Sequence, residues 1–208
     1  MWIELTLSKE LVRDLLKIKA VQINPKNYFT WTSGLKSPIY CDNRLTMSYP
    51  EVRNKIANAF VEMVESLEVK PDVIAGCATA GIPHAAWLAE KINLPMVYVR
   101  SKPKGHGKGN QIEGEIKEGQ KVLVIEDLIS TGGSSIESAI ALQKEGAEVL
   151  KVFAIFTYGL EKATKNFQDA NLPFETITNF DELVDALVED GELSDEEKIR
   201  LINWRNEL

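Results

Sequence analysis

Short apolar runs rich in Val and Ile recur through the middle of the chain. They lie at Val73–Cys77, Met96–Val99, Val122–Ile125 and Val149–Phe156. Stretches with helical periodicity, near Ile82–Lys91 and Ser134–Glu145, separate three of these runs. Strands that are apolar on both faces are typical of a parallel sheet covered by helices on each side. The pattern therefore predicts an α/β fold with a mostly parallel, doubly wound central sheet.

The N-terminal part predicts a helix, a hairpin and a second helix. The first helix is expected over Lys9–Lys19 with Ser8 as its N-cap. Its apolar residues recur at helical spacing and are Leu11, Leu15 and Ile18. Two β-rich runs flank Ser33-Gly34 and indicate a hairpin. Pro50 begins the second helix. The buried stripe of that helix is expected to be Val52, Ile56, Ala59, Phe60, Met63, Val64 and Leu67.

The C-terminal part predicts two more helices and holds most of the acidic excess. The first helix carries apolar residues at helical spacing, namely Phe180, Leu183, Val184, Leu187 and Val188. Ser194 and Glu197 have the spacing of a capping box at the start of the last helix. Between Asp181 and Glu197 there are nine acidic residues and no Lys or Arg, although the net charge of the whole chain is only -7.

The remaining residues therefore carry all 24 Lys and Arg against 22 of the 31 Asp and Glu, which is close to neutral. The acidic segment is interpreted as solvated helix faces. A near-neutral body lacks the clustered basic face of a nucleic-acid-binding protein, so we expect no nucleic-acid partner. The length of 208 residues suits a single domain, 1–208.

Cysteine and histidine spacing argues against a zinc site. Cys41 and Cys77 lie far apart, and one His follows each at no ligand-like interval, His84 and His106. Unpaired thiols fit a reducing cytoplasm, although one disulfide is also compatible with the sequence. The first residues do not have the pattern of a signal peptide, and no apolar run approaches membrane-spanning length. We therefore expect a cytoplasmic protein without a membrane partner.

The segment "RSKPKGHGKGNQIEGEIKEG" separates two predicted strands and offers little to bury. It contains five glycines and several basic residues, among them Arg100, Lys102, Lys104, His106 and Lys108. Long segments of this kind in compact domains are usually functional lids or disordered connections. By charge alone the segment suits a highly anionic ligand such as diphosphate, although a solvated basic loop is the more frequent outcome for such a run.

The stretch "VLVIEDLISTGGSS" places two carboxylates and an amide-rich turn between a strand and a helix. The Thr131–Ser134 amides precede a helix N-terminus and suit a phosphate. Glu126 and Asp127 would repel that phosphate, so we expect them to face sugar hydroxyls or Mg²⁺ on the same ligand. A phosphorylated sugar satisfies both requirements. Neither G-x-x-x-x-G-K-[ST] nor G-x-G-x-x-G occurs in the chain. The alternative is that the acids merely cap the following turn.

Three stretches resemble one family. "VLVIEDLISTGGSS" is similar to the phosphoribosyl-diphosphate (PRPP) signature of type I phosphoribosyltransferases. "FTWTSGLKSPIYCDNR" and "YVRSKPKGHGKGNQIEG" resemble the hood segment and the mobile catalytic loop of orotate phosphoribosyltransferases. The resemblance implies a five-stranded parallel core with a small hood from about residues 1–45 and C-terminal elements, and a mobile loop over 100–117. It also implies transfer from PRPP to orotate with Mg²⁺, in a homodimer that shares loop residues across its interface.

The resemblance assigns roles to individual residues. Catalysis falls to Lys104, His106 and Asp127. The residues implied in PRPP binding are Arg100, Lys104, His106, Glu126, Asp127, Leu128, Ile129, Ser130, Thr131, Gly132, Gly133 and Ser134. Ser130 is expected to contact orotate. No protein side chain is expected to ligate the metal directly.

Two positions depart from the family pattern. Ser101 stands where many members have Lys, and Lys102 is a candidate to replace it. The Arg that many members carry after the fifth strand is absent from "FTYGLEKATKNF", and Lys36 is a candidate for that contact with the orotate carboxylate.

Other interpretations stay open at this point. The same chemistry on another base, such as a purine or uracil, is the nearer alternative, and a non-catalytic nucleotide-sensing regulator on the same fold is the farther one. Ala78–Gly81 is either a simple tight turn or a second anion site at a strand end. His84 is interpreted as a packing or surface residue rather than a general base.

Overall fold

The computed structural model describes residues 2–30, 34, 36–102 and 111–208. These residues form a central sheet covered by helices and two short ribbons near the N-terminus. The helices are α1 Trp2–Lys17, α2 Pro50–Ser66, α3 Gly81–Ile92, α4 Gly133–Lys144, α5 Glu161–Asp169, α6 Phe180–Glu189 and α7 Asp195–Asn206. The strands are β1 Val21–Ile23, β2 Phe29–Thr30, β3 Lys36–Ser37, β4 Ile39–Cys41, β5 Val73–Cys77, β6 Met96–Val99, β7 Ile112–Glu113, β8 Lys121–Ile129, β9 Glu148–Thr157 and β10 Phe174–Asn179. A 3₁₀ segment spans Asn43–Ser48.

The central sheet has six strands in the order β10-β9-β8-β5-β6-β7. Five of them are parallel, as expected, and the two-residue β7 pairs with β6 in antiparallel orientation. Every residue of β5 is buried, and so are Val122–Glu126 of β8 and Val152–Thr157 of β9. The continuous apolar runs thus form the strands that helices cover on both faces.

Strand β8 extends four residues beyond the predicted end at Ile125. Its pairing with β9 continues through Glu126↔Ala154 and Ile129↔Thr157. The expectation that the acids lie in a turn after Ile125 was therefore wrong, because the polar side chains interrupt the apolar run without interrupting the backbone ladder. The turn begins only at Ser130.

The glycine-rich segment is not free of regular structure. Ile112 and Glu113 pair with Val99 and Tyr98 at the edge of the sheet, and Ile112 is buried. Two residues are too few for a period-2 pattern to predict. The expectation of an unbroken loop between the two strands was wrong at this point.

Helix α1 begins earlier than its apolar spacing predicts. Ser8, the expected N-cap, lies inside the helix with only 5% of its surface exposed, and its Oγ has no hydrogen-bond partner. The helix also ends at Lys17 rather than Lys19, because Lys19 adopts a left-handed backbone (φ 60°). The cap signal was wrong because the backbone is already helical on the N-terminal side of Ser8.

The hairpin predicted around Ser33-Gly34 is confirmed where it is described. Phe29 pairs with Ser37 and Thr30 with Lys36. A second ribbon follows, in which β1 pairs with β4. This segment leads through the 3₁₀ turn toward the carboxyl end of the central sheet, where the candidate site lies.

The remaining helix predictions are confirmed. Helix α2 begins at Pro50, and the Ser194–Glu197 capping box at the start of α7 is complete.

Part of the acidic C-terminal segment is paired rather than simply solvated. Arg13 of α1 donates to Asp190 at 2.8 Å, and Lys9 pairs with Glu189. None of the helices in the described ranges combines the length and apolar character needed to cross a membrane.

Candidate functional site

The candidate site is built on the strand–turn–helix unit from β8 to α4. Gly132 is the N-cap of α4, its backbone is left-handed (φ 81°), and no side chain caps the helix. The first amides of a helix have no acceptor within the helix. Their partial positive charge adds to that of the helix dipole, so this N-terminus is suited to an anion.

The turn before α4 is fixed from behind by α5 and β9. Asn166 Nδ2 donates to the Thr131 carbonyl at 2.9 Å, and Thr157 Oγ1 donates to the Ile129 carbonyl at 3.0 Å. A Cβ on Gly132 would lie 2.5 Å from a ring carbon of Phe167. The carbonyls are therefore held on the α5 and β9 side, which leaves the amides of the turn available to a ligand.

The two carboxylates at the end of β8 have different surroundings. Glu126 is only 5% exposed, and its Oε2 accepts from the hydroxyls of Ser134 at 3.0 Å and Ser135 at 3.4 Å. Burial, reinforced by the neighbouring Asp127 carboxylate, raises the pKa of Glu126 to about 8. Burial also raises the pKa of Asp127. Glu126 thus connects the strand to the first turn of α4, in addition to facing the cavity.

The 3₁₀ segment and the strand before it form the opposite wall. Asn43, which is fully buried, donates from Nδ2 to the Asp127 carbonyl at 2.7 Å. Next to it, Arg44 binds Asp42 through two bonds, Nε to Oδ1 at 2.6 Å and Nη2 to Oδ2 at 2.9 Å. Asp42 also accepts from the Arg44 amide and so caps the segment. These contacts hold the Asp42–Arg44 segment against the acid pair.

A second helix N-terminus lies at the same cavity. Ala78–Ala80 connects β5 to α3, and no side chain caps α3. A Cβ on Gly81 would lie 2.4 Å from the Ile125 carbonyl, so only glycine lets α3 approach β8 this closely. The segment is a tight turn, and it also brings its backbone to the same cavity as Glu126.

These elements enclose a cavity of about 390 Å³. Its described lining consists of Cys41, Asp42, Arg44, Ala78, Thr79, Ala80, Glu126, Asp127, Leu128 and Ser134. The cavity lies at the carboxyl ends of β5 and β8, which is where open α/β sheets bind ligands.

The structure brings together only part of the predicted site. Arg100 follows β6 and its Nη1 lies 3.3 Å from Glu113, away from the described lining. Lys36 is exposed on β3, also outside that lining. Lys104 and His106 lie outside the described residues. Ser130 and Thr131 form the turn, while Ile129 is buried beneath it.

His84 is a packing residue, as expected. Its side chain is buried against the edge of Trp87, with 5.3 Å between ring centroids. Burial lowers the pKa of His84 to about 4.

Sequence reasoning assigned no role to Asp42, Asn43 and Arg44. They stand in the stretch "YCDNR" at the end of the hood motif, and three adjacent polar residues directly after a strand were the available signal.

Fold and site together define a type I phosphoribosyltransferase. The phosphoribosyl transferase domain family matches residues 48–185. An orotate phosphoribosyltransferase of Oceanobacillus iheyensis is 65% identical over 202 residues, which cover 97% of this chain and 100% of that protein. One from Fusobacterium nucleatum is 55% identical over 97% of each chain. The chain belongs to the orotate phosphoribosyltransferase family.

Solved structures agree with this assignment. Orotate phosphoribosyltransferase from Aeropyrum pernix is 27% identical, with a TM-score of 0.75 over 88% of this chain and 99% of that chain. Leishmania donovani UMP synthase is 27% identical, with a TM-score of 0.78. That match covers 95% of this chain and 42% of the longer protein. The family and the fold inferred from the sequence motifs are confirmed.

Proposed function

We propose that this chain transfers the 5-phosphoribosyl group from PRPP to orotate, giving orotidine 5′-phosphate and diphosphate in pyrimidine biosynthesis. The observation that carries the proposal is one cavity in which the uncapped N-terminus of α4 lies beside the Glu126–Asp127 pair. The first feature suits a phosphate and the second suits sugar hydroxyls. The high identity to curated orotate phosphoribosyltransferases supports orotate as the acceptor rather than another base.

Binding of PRPP would divide its charges between two helix N-termini. The 5′-phosphate would bind the amides of Thr131–Ser134, and the diphosphate would bind near the Ala78–Ala80 turn. Asp127 would accept from the ribose hydroxyls, directly or through water. This arrangement keeps the phosphates on backbone N–H groups and the carboxylates on the uncharged part of the ligand.

The reaction would be a displacement at the anomeric carbon with strong cation character. The orotate nitrogen attacks as the bond to the diphosphate oxygen breaks, the electron pair of that bond leaves with diphosphate, and the nitrogen loses its proton to solvent. Catalysis would consist mainly of positioning and charge stabilisation. Lys104 and His106 are proposed to stabilise the leaving group, and His106 to donate a proton to it. Closure of their loop would exclude water from the cationic sugar.

The donor set of the cavity fits Mg²⁺ only in combination with the substrate. Glu126 and Asp127 offer the hard oxygen atoms that Mg²⁺ prefers, whereas both carboxylate oxygens of Asp42 are bonded to Arg44. Within the described ranges, however, no group of three or more His, Cys, Asp or Glu is placed to hold a metal alone. PRPP oxygens would complete the ligand set. When bound, the cation neutralises charge on the diphosphate.

We infer a homodimer from the apolar surface beside the site. Leu45, Met47 and Tyr49 are exposed along and just after the 3₁₀ segment. A second copy would cover this surface and bring Arg100 and the basic loop toward the neighbouring cavity.

Heterodimers formed from a Lys104→Ala subunit and an Asp127→Asn subunit test the sharing. Each parent should be nearly inactive, and the mixture should regain one working site per dimer. Verified heterodimers without recovered activity would refute shared sites.

The function itself is tested by loss of orotate absorbance on adding PRPP and Mg²⁺ to the purified chain. Asp127→Asn should lower kcat/KM by about 100-fold or more, because it removes a charged contact to the sugar. A panel of uracil, adenine and hypoxanthine controls for the base. Turnover of one of these bases without turnover of orotate would refute the proposal.

The free thiols Cys41 and Cys77 support a cytoplasmic location.

A further inference from the structure

The candidate cavity is rich in carboxylates and poor in positive charge on its described walls. Asp42, Glu126 and Asp127 all line it. Arg44 is the single Lys or Arg in the described part of that lining. Orotate carries an ionised carboxylate on its pyrimidine ring at neutral pH. Entering next to the Asp42 carboxylate, whose pKa the Arg44 guanidinium lowers, would cost it electrostatic free energy unless a cation compensates.

The geometry of Arg44 leaves it able to bind such a ligand. Its contact with Asp42 uses Nε and Nη2, which form one edge of the guanidinium. The other edge, formed by Nη1 and the second Nη2 hydrogen, takes no part in that contact. It has the fork shape that matches a carboxylate. The side chain is 62% exposed, so a ligand can reach that edge.

Asp42 orients the Arg44 guanidinium and leaves one of its edges available to a ligand. The carboxylate accepts from the Arg44 main-chain amide at 3.2 Å as well as from the guanidinium, so it fixes both ends of the residue. Asn43, between them, is bonded to the Asp127 carbonyl. The guanidinium is therefore held at a defined place on the cavity rim, which reduces the cost of ordering it when a ligand binds.

Two other arginine side chains, those of Arg53 and Arg205, are already engaged in contacts of their own. Arg53 stacks on Trp87 and donates to the Met47 carbonyl. The guanidinium of Arg205 binds Asp181 and lies over the Phe180 ring.

We propose that Arg44 binds the carboxylate of the acceptor base and so selects an anionic pyrimidine over a neutral one. This inference rests on the proposed function and adds the residue that sets its base specificity. Asp42 acts as the positioning residue for the guanidinium. Lys36, the candidate from the sequence, would then have no direct contact with that carboxylate.

The test measures orotate and PRPP kinetics in Arg44→Leu, Arg44→Lys and Arg44→Gln. Loss of a charge-assisted pair should raise the orotate KM by about 10- to 100-fold in Arg44→Leu and Arg44→Gln. Arg44→Lys, which keeps the charge but lacks the fork, should lie between these variants and the wild type. The KM for PRPP should change far less than the KM for orotate.

The methyl ester of orotate distinguishes a charge contact from a general distortion of the site. Its inhibition constant should be the same in wild type and Arg44→Leu, because the ester carries no carboxylate charge. Equal losses for ester and acid would overturn the proposal, and so would an unchanged orotate KM in Arg44→Leu. If that variant does not fold, Arg44→Gln provides the same comparison with a polar side chain.

Arg53→Leu is the matched control because it also removes an arginine charge, and Lys36→Leu tests the alternative contact. Neither residue is part of the described lining. Arg53→Leu should leave the orotate KM unaltered. A selective rise in the orotate KM in Lys36→Leu, without one in Arg44→Leu, would assign the contact to Lys36 and overturn the proposal. Failure of the wild type to consume orotate would instead refute the proposed function, so the two failures are distinguishable.

Discussion

Asn43 Nδ2 donates a hydrogen bond to the main-chain oxygen of Asp127 at 2.7 Å, across 84 positions of sequence. The bond joins the segment after the N-terminal ribbons to the strand that carries the acid pair. Asn43 is fully buried, so water cannot replace the amide easily. One side chain therefore fixes the distance between the two walls of the cavity.

Asn43→Ala should destabilise the fold by about 1–3 kcal/mol, because it leaves the Asp127 carbonyl without a donor. The variant should also lower kcat/KM, since the wall that carries Asp42 and Arg44 is no longer held against β8. Urea unfolding and orotate kinetics measure the two effects. Asn24→Ala, which removes only turn contacts to exposed amides, is the control. Wild-type stability in Asn43→Ala would contradict a structural role for the bond.

Glu126 should make the stability of the free protein fall as pH rises. Its folded pKa is about 8 against an ordinary 4.5, so the folded state keeps a proton that the unfolded state releases. Its effect therefore develops as pH rises from 4.5 to 8. His84 has the opposite effect at lower pH: its pKa falls from 6.5 to about 4, so stability is lost as pH drops through that range. Of these two groups, only Glu126 changes the stability between pH 6.5 and 8.

Over that interval the unfolding free energy of wild type should fall as pH rises. Glu126→Gln should flatten the profile, because an amide has no proton to release. Chemical denaturation at the two pH values measures the difference. Glu137→Gln removes an exposed acid from α4, the helix that Glu126 contacts through Ser134, and should keep the wild-type slope. A Glu126→Gln profile parallel to wild type would show that this carboxyl does not control the slope.

The parallel core was predictable because its signal is local. The structure has strands at Val73–Cys77 and Met96–Val99, with the same first and last residues as the predicted apolar runs. Burial on both faces demands an unbroken apolar run, and turns follow at once. The turn proposed to bind phosphate was equally accessible, because "STGGS" contains both the glycine required at φ 81° and the start of a helix.

The rest of the site depends on contacts between distant parts of the chain. The Asn43–Asp127 bond has no local pattern, and neither does the placement of Arg44 on the cavity rim. The end of β8 was placed too early because Glu126 is polar, although β9 provides a partner for its backbone. Pairing between strands decides such positions, and a single sequence does not display it.

Ser8→Ala should stabilise the protein by about 1 kcal/mol. The hydroxyl is buried without a partner inside α1, and Ala has the higher helix propensity. An N-cap role predicts the opposite sign, a loss of similar size. Ser194→Ala is the matched comparison, because Ser194 caps α7 and should cost about 1 kcal/mol. Thermal unfolding of both variants decides the sign, and destabilisation by Ser8→Ala would restore the capping interpretation.

Gly132 and Gly133 are adjacent in the turn before α4 but should respond differently to a methyl group. Gly132→Ala should destabilise the fold by about 2–3 kcal/mol, because its left-handed backbone disfavours a side chain and the new Cβ would meet the Phe167 ring at 2.5 Å. A Cβ on Gly133 would meet no atom within 4 Å. Gly133→Ala should therefore fold normally, with stability equal to or slightly above that of wild type.

The Gly133 variant then isolates the role of the turn in binding. A methyl group beside the amides of Gly133 and Ser134 would crowd the space proposed for the 5′-phosphate, so the KM for PRPP should rise by about 10-fold or more. Thermal unfolding separates this effect from misfolding, and inorganic phosphate titrated into both proteins reports the same site without turnover. Wild-type affinity for PRPP and for phosphate in Gly133→Ala would place the phosphate elsewhere, and the assignment of this turn would fail with it.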